Sequence, residues 1–286
     1  MSEEDYPFRV YQNDDLLKNF DKFREVLDAY QPSLNLPRKF VGMACPDAFF
    51  QYERMATGGQ GKKSPIEAWK DKRIRDHVKK QATRINYQRL QDALRLFLPM
   101  MCKQFHPFQA GAVYKYFQAK AVFDPYAGWG DRCLAAMAYG VPYTGVDSNP
   151  NLVVPFQKMI AFYPPVGSAG TTFINSKAED VDIGKIDFDI VLTSPPFWKG
   201  KNRKMIETYK GAELDYTKFM EESLIPVMKR CLQKAHWVCL YIPSDMYEDL
   251  TRTFGTSTKD FLLPNQSSKI HKQVQNKCIY CWKGVR

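Results

Sequence analysis

Apolar residues recur with two different periods along this chain, and its organisation changes where the period changes. Over residues 14–30, Leu16, Leu17, Phe20, Phe23, Val26, Leu27 and Tyr30 share one helical face, with Asn13 or Asp14 as N-cap and Pro32 beyond the end. Residues 31–63 hold Pro32, Pro37, Pro46 and the run Thr57-Gly58-Gly59-Gln60-Gly61, so they are expected to be mostly irregular. The glycines do not form a P-loop, because Lys62-Lys63-Ser64 follows them without the required four-residue gap. Ser64-Pro65-Ile66-Glu67 has the capping-box pattern with proline at the first helical position, which predicts a helix to about Gln81. A further helix is predicted over 87–98, packing through Leu90, Leu94 and Phe97 and stopped by Pro99. The first 104 residues therefore read as a helical accessory region.

From Ala121 the pattern becomes strand and helix in alternation, the signature of a parallel sheet covered on both faces. Strands are predicted near 121–125, 142–147, 171–175, 187–193 and 236–242, with helices over about 131–139, 151–162 and 216–235. Phe261-Leu262-Leu263 and Lys277-Cys278-Ile279-Tyr280-Cys281-Trp282 add two more strands as a closing hairpin. The expected fold is α/β and Rossmann-like over residues 105–286, preceded by the mainly helical region 1–104.

Composition narrows the class. A length of 286 residues with 44% apolar content allows a sizeable core. No stretch approaches the roughly 20 apolar residues of a membrane span, and Met1-Ser2-Glu3-Glu4-Asp5 is acidic where a secretory signal is basic. An intracellular protein, cytoplasmic or nuclear, is expected. Cys45, Cys102, Cys133, Cys231, Cys239, Cys278 and Cys281 are odd in number and scattered, which argues against a disulfide framework. Cys278 and Cys281, the only close pair, lack the companions a zinc site needs, and no metal is expected.

The net charge of +10 is uneven: residues 51–104 and 197–286 are strongly basic, while 1–50 and 105–196 are slightly acidic. Basic flanks suit a polyanion, and Lys62, Lys63, Lys72, Arg73 and Arg75, with Trp69, His77 and Tyr87 interleaved, are candidate nucleic-acid contacts. Lys199, Lys201 and Arg203 form a second candidate set. Plain solvated helix faces are the alternative.

Two stretches carry chemistry. Ala121-Val122-Phe123-Asp124-Pro125-Tyr126-Ala127-Gly128-Trp129-Gly130-Asp131-Arg132 reads as a strand, a glycine turn and a helix start, which brings backbone close to a ligand. A second strand, Tyr143-Thr144-Gly145-Val146-Asp147, ends in an acid able to accept both hydroxyls of a ribose. Asp131 opens the helix and would repel a pyrophosphate, favouring an adenosine ligand such as S-adenosylmethionine over a dinucleotide. The other stretch is Thr193-Ser194-Pro195-Pro196-Phe197-Trp198, closing an apolar strand. Two prolines fix φ and remove two donors, so the Ser194 and Pro195 carbonyls are left as acceptors beside an aromatic ring, which suits a planar amino group. A purely structural Pro-Pro turn is the alternative.

Together, Asp-Pro-Tyr-Ala-Gly-Trp-Gly, the Val146-Asp147 acid and Thr-Ser-Pro-Pro-Phe resemble the S-adenosylmethionine-dependent amino-methyltransferases that modify adenine or cytosine in nucleic acid, phage and virus DNA methylases included. The resemblance covers about residues 105–286 and implies a class I methyltransferase sheet. It also implies that Asp124, Pro125, Tyr126, Gly128 and Gly130 hold the methionine part, that Asp147 and Ser148 bind the ribose, and that Glu179 or Asp180 meets the adenine. Phe108, before the first strand, would close over the methionine carboxylate. Ser194, Pro195, Pro196 and Phe197 would form the catalytic corner, acting by positioning and electrostatics on a base flipped out of its stack. Serine before Pro-Pro leans toward cytosine N4 over adenine N6, and Ile206-Glu207-Thr208-Tyr209 resembles an element downstream of this motif in phage methylases. The large target-recognition domain of many DNA methylases is not evident. RNA base methylation, a non-catalytic nucleic-acid-binding subunit, and methylation of a small molecule or a protein glutamine are the other readings.

Overall fold

In the computed structural model, residues 6–58, 63–81, 102–164, 166, 170–199, 204–205, 215–263 and 278–286 are described. The alternating half of the chain builds a seven-stranded sheet from β1 (Val122–Asp124), β2 (Tyr143–Asp147), β3 (Thr171–Asn175), β4 (Ile190–Thr193), β7 (Trp237–Ile242), β8 (Lys259–Leu262) and β9 (Cys278–Lys283). Their order is β3-β2-β1-β4-β7-β9-β8. Neighbouring strands from β3 to β7 are parallel, and β9 runs antiparallel between β7 and β8. The expected α/β, Rossmann-like sheet and its closing hairpin are what the chain adopts. β5 (Trp198–Lys199) and β6 (Lys204–Met205) form a separate two-residue ribbon beyond the Pro-Pro stretch.

Helices cover both faces because both faces of the central strands are apolar; all four residues of β4 are buried. One face carries α5 (Pro107–Phe117), α6 (Asp131–Tyr139) and α7 (Val153–Phe162), and α1 (Asn13–Asp28) and α2 (Ala44–Ala56) pack into the same core through Leu16, Phe20, Phe23, Leu27, Cys45 and Phe50. The C-terminus of α1 is closed by Lys115 Nζ, which donates to the Leu27 carbonyl at 2.9 Å and to that of Asp28 at 2.5 Å. The other face carries a helical run with α8 (Tyr216–Phe219), a π-turn over Met220–Leu224 and α9 (Ile225–Lys234), followed by α10 (Ser244–Phe254).

Two expectations for the first region need correction. Residues 44–56 are helical, because Pro46 lies in the first turn, where a missing N–H has no intrahelical partner to lose. The capping box is present, with Ser64 Oγ accepting from Glu67 N and Glu67 Oε2 from Ser64 N, but its helix α3 (Pro65–Lys70) stops at Asp71, which is extended at ψ 112°. The Asp71 carboxylate accepts from Arg73 N at 3.0 Å and so opens α4 (Lys72–Gln81) as a new helix. Tyr6, Met55, Ala68, Trp69 and Val78 make a satellite core beneath α3 and α4. The helix predicted over 87–98 lies outside the described residues. Among the described residues no helix is long and apolar enough to cross a membrane.

Candidate functional site

The chain builds β1, β2 and β3 outward in one direction and then returns to place β4 on the opposite side of β1. Ligands of open α/β sheets bind outside the carboxyl ends of the strands at such a reversal. The glycine loop follows β1 and the Pro-Pro corner follows β4, so the two stretches that carry chemistry meet there.

Asp124 joins them from below. Its side chain is fully buried. Oδ2 accepts from Arg132 Nε at 2.7 Å and from Tyr143 OH at 2.8 Å, while Oδ1 accepts from Thr193 Oγ1 at 2.7 Å. Thr193 Oγ1 in turn accepts the Tyr126 N–H at 3.2 Å, and Arg132 Nη2 donates to the Tyr126 carbonyl at 2.6 Å. Direct contact of Asp124 with a ligand is therefore corrected: the carboxylate reaches no solvent and its oxygens are occupied within the protein. It acts as the keystone that ties the glycine loop to the last residue of β4. Pro125 beside it is buried.

The loop rests on β2. Ala127 N donates to the Val146 carbonyl at 2.8 Å, and Gly128 N donates to Asp147 Oδ2 at 2.9 Å. Gly128 (φ 58°) and Gly130 (φ 74°) are left-handed, which is why glycine is needed at both. They face different surroundings. A Cβ on Gly128 would meet nothing closer than 3.8 Å, whereas one on Gly130 would lie 2.5 Å from the Phe50 ring. Gly128 has room for a Cβ in ordinary contact with Arg132 and Tyr126, whereas Gly130 is packed against α2.

Asp131 does not present its charge to the loop. It is buried, accepts from Gln104 Nε2 at 3.1 Å, and burial pushes its pKa up to about 8. The expected repulsion of a pyrophosphate by Asp131 is thereby removed. What sets this sheet apart from the all-parallel order of dinucleotide-binding folds is its reversed strand β9.

Asp147, half-buried at the end of β2, accepts from Gly128 N on one oxygen and from Asn149 N at 3.0 Å on the other. Burial raises its pKa to about 6 against the lowering effect of these two N–H groups. Each oxygen keeps a further lone pair, the acceptor set a vicinal diol requires. Ser148 is exposed next to it, as is Asp180 on the 3₁₀ turn Ala178–Asp180. Glu179 on that turn accepts from Ser223 Oγ at 2.6 Å, and Ser223 Oγ is 2.9 Å from Tyr126 OH.

At the corner, Pro195 is buried and Ser194, Pro196 and Phe197 are half-buried. Among the described residues neither the Ser194 hydroxyl nor the Pro195 carbonyl takes a hydrogen bond. Trp198 anchors the turn, buried and stacked on Phe219 with centroids 4.7 Å apart. The Phe197 ring meets Tyr241 edge-on at 5.5 Å, and Tyr241 meets Phe105 at 5.4 Å. An aromatic line thus runs from the corner to the segment before α5.

Two further expected site residues are corrected. Phe108 is fully buried, with its ring edge-on to Tyr30 at 5.1 Å, and belongs to the core between α1 and α5. Arg75 is buried and donates through Nη1 to the Trp69 carbonyl at 3.1 Å, so it braces α3 and is unavailable to a phosphate. Lys63, Lys72 and Arg73 are exposed, the first two in solvent-facing pairs with Asp71 and Asp76. Lys199 lies in β5. Lys62, Lys201, Arg203 and Ile206-Glu207-Thr208-Tyr209 are outside the described residues. Cys278 and Cys281 are part of β9, and among the described residues no group of three or more His, Cys, Asp or Glu is placed to hold a metal ion.

The supporting contacts of Thr193, Arg132 and Tyr143 with Asp124, and the places of Ser223 and Tyr241, escape a reading of the sequence. Only Ser223 leaves a trace there, as a polar residue within the apolar stripe Phe219, Met220, Leu224, Val227.

No protein-family model and no curated protein matches the chain. Solved structures with some likeness include a SAM-dependent methyltransferase from Agrobacterium tumefaciens, at 18% identity and TM-score 0.39, over 62% of this chain and 60% of that one. A type I restriction-modification methyltransferase subunit from Streptococcus thermophilus has 15% identity and TM-score 0.40, over 69% of this chain and 48% of that one. Magnesium protoporphyrin IX methyltransferase from Synechocystis has 10% identity and TM-score 0.42, over 73% of this chain and 90% of that one. Likenesses at this TM-score decide nothing about activity, which has to be argued from the chain's own geometry.

Proposed function

We propose that this chain transfers a methyl group from S-adenosylmethionine to the exocyclic amino nitrogen of a base in DNA, cytosine N4 or adenine N6. The observation that carries the proposal is the Asp124–Thr193 bond. It fixes the Pro-Pro corner, whose Ser194 hydroxyl and Pro195 carbonyl are unengaged among the described residues, beside a glycine loop at the sheet's reversal point.

The residues of the loop side suit S-adenosylmethionine. Asp147 offers its remaining lone pairs to the ribose hydroxyls, the open side of Gly128 lets a ligand lie against the backbone, and Glu179 offers an acceptor toward the adenine amino group. When bound, the cofactor supplies an electrophilic methyl on a sulfonium and needs no metal. The protein's own part is to hold the nucleophile. An exocyclic amino nitrogen is weakly nucleophilic because its lone pair is delocalised into the ring. The Ser194 hydroxyl and Pro195 carbonyl would accept hydrogen bonds from the amino hydrogens, favour a pyramidal nitrogen and stabilise the positive charge that develops on it; the C–S electron pair would leave with the thioether S-adenosylhomocysteine, and the surplus proton would be lost from nitrogen to solvent. Phe197, steadied by Tyr241, is the face on which the base stacks, a contact worth roughly 1–3 kcal/mol per base. A base in a duplex has to be flipped out to reach this corner. The exposed Lys63, Lys72 and Arg73, with Lys62, Lys199, Lys201 and Arg203, supply phosphate contacts from the accessory region and the segment after the corner.

The test is incubation with S-adenosylmethionine and either duplex DNA, single-stranded DNA or RNA, followed by mass spectrometry of the nucleosides. N4-methylcytosine or N6-methyladenine in DNA is expected. Ser194→Ala or Phe197→Ala abolishes it while cofactor binding by calorimetry stays within a few-fold. Methylation of RNA alone would replace DNA as the substrate, and undiminished methyl transfer by both variants would remove the corner from catalysis.

A further inference from the structure

The helical run from α8 through α9 touches no part of the Pro-Pro corner's acceptors, yet it holds the loop that follows β3 at many points. Arg230 Nη1 donates to the Val181 carbonyl at 2.9 Å, and Nη2 to those of Glu179 at 3.1 Å and Ala178 at 3.3 Å. One turn on, Lys234 Nζ donates to the carbonyls of Ile183 at 3.0 Å and Gly184 at 2.8 Å. The backbone that carries Glu179 is therefore clamped by Arg230 and Lys234, the latter also lying over the Phe188 ring at 5.3 Å.

The π-turn over Met220–Leu224 adds a side-chain contact to this clamp. The wider turn leaves Ser223 facing inward, 6% exposed, between Glu179 and the tyrosine of the glycine loop. A carboxylate oxygen can only accept, so the 2.6 Å bond requires Ser223 to donate to Glu179 Oε2. The Ser223 proton is thereby committed, and the 2.9 Å contact with Tyr126 OH has to be a donation from the tyrosine. Burial raises the Tyr126 pKa, which keeps that proton on the phenol. The chain Tyr126 OH → Ser223 Oγ → Glu179 Oε2 therefore has one direction, and it leaves Glu179 Oε1 with no donor among the described residues.

Building on the adenosyl reading of the site, we infer that Ser223 is a positioning residue that makes Glu179 a selector for a 6-amino purine over a 6-oxo purine. A carboxylate offers acceptors only, and the donor chain on Oε2 holds Oε1 in one place. An amino group meets it with a hydrogen bond, and a ring carbonyl meets it acceptor against acceptor, leaving buried polar groups unpaired. Ser223 acts through Glu179 and touches no ligand itself.

Calorimetry on the full chain tests this, comparing S-adenosylhomocysteine with S-inosylhomocysteine, which differs in the 6-position of the purine. The wild type is expected to prefer the adenosyl ligand by about 10- to 100-fold. Ser223→Ala is expected to shrink that preference to a few-fold at an unchanged melting temperature, and Tyr126→Phe, one link further away, to shrink it less. Glu179→Gln, whose amide can donate, is expected to turn the preference toward the inosyl ligand, and it carries the test if Ser223→Ala melts early. Undiminished preference in a Ser223→Ala variant that melts like the wild type, or in Glu179→Gln, overturns the inference while leaving adenosyl binding in place. A wild type that binds neither ligand removes the cofactor reading and this inference with it.

Discussion

Asp147 is a residue whose charge near neutral pH depends on its surroundings. Removing it from water lifts its pKa to about 6, and the Gly128 and Asn149 N–H groups keep it from rising further. Only the ionised form is an acceptor at every lone pair, so affinity for a ribose-bearing ligand is expected to climb as pH rises through about 6 and to level off above 7. Calorimetric titration of S-adenosylhomocysteine between pH 5 and 8 measures this, and Asp147→Asn is expected to weaken binding about tenfold and to flatten the profile. Ser194, Pro195, Phe197, Asp147 and Glu179 stand out in the sequence as candidates because each lies at or shortly after the end of a recognisable strand. Asp124 is legible as important, but its partners Arg132, Tyr143 and Thr193 turn it inward, and such partners, brought from three separate elements, leave no local pattern.

At the scale of elements, the glycine loop is where sequence and packing part company. Gly128 and Gly130 look alike along the chain and share a left-handed backbone, but only Gly130 is pressed against Phe50 of α2. Gly130→Ala is expected to lose at least about 2 kcal/mol, adding overpacking to the left-handed penalty. Gly128→Ala is expected to lose about 1 kcal/mol of stability while lowering S-adenosylhomocysteine affinity about tenfold, because its Cβ points where a ligand would lie. Urea unfolding and calorimetry separate the two, and Phe50→Leu should recover part of the loss in Gly130→Ala but none in Gly128→Ala. The strands of the main sheet are readable from apolar runs and turn residues, with β4 beginning at Ile190 where 187 is expected and β8 at Lys259 where Phe261 is expected. Helix α2 was hidden by Pro46, a residue that breaks a helix in its middle and starts one in its first turn, and no local signal distinguishes the two positions.

Over the whole molecule, α1 and α2 share one buried core with α5, α6 and α7, so the accessory region helps build the face of the sheet on which the glycine loop rests. Asp131 sits at that junction, buried against Gln104, with a folded-state pKa near 8 against roughly 3.9 in an unfolded chain. The native state then holds a proton that the unfolded state has released, so stability is greatest below about pH 4 as far as this group is concerned and declines as pH rises to about 8. Asp147 adds the same sign over the narrower window up to about pH 6. Urea midpoints at pH 5, 6.5 and 8 are expected to fall in that order, and Asp131→Asn to reduce the fall.

By itself the sequence determined the fold class, the strands of the main sheet, the helices between them up to Lys234 and the basic flanks, because periodicity, turn residues and charge are local properties of a chain; helix α10 and the β5–β6 ribbon were not foreseen. The tertiary structure decided which acids are spent within the protein. Asp124, Asp131 and Asp147 have the same side chain, and only their neighbours make the first a buried anchor among three donors, the second a buried core residue with a raised pKa, and the third a half-buried acid held by two backbone N–H groups. The same holds for the Tyr126–Ser223–Glu179 chain, whose members lie far apart in sequence and meet because the sheet reverses direction between β1 and β4.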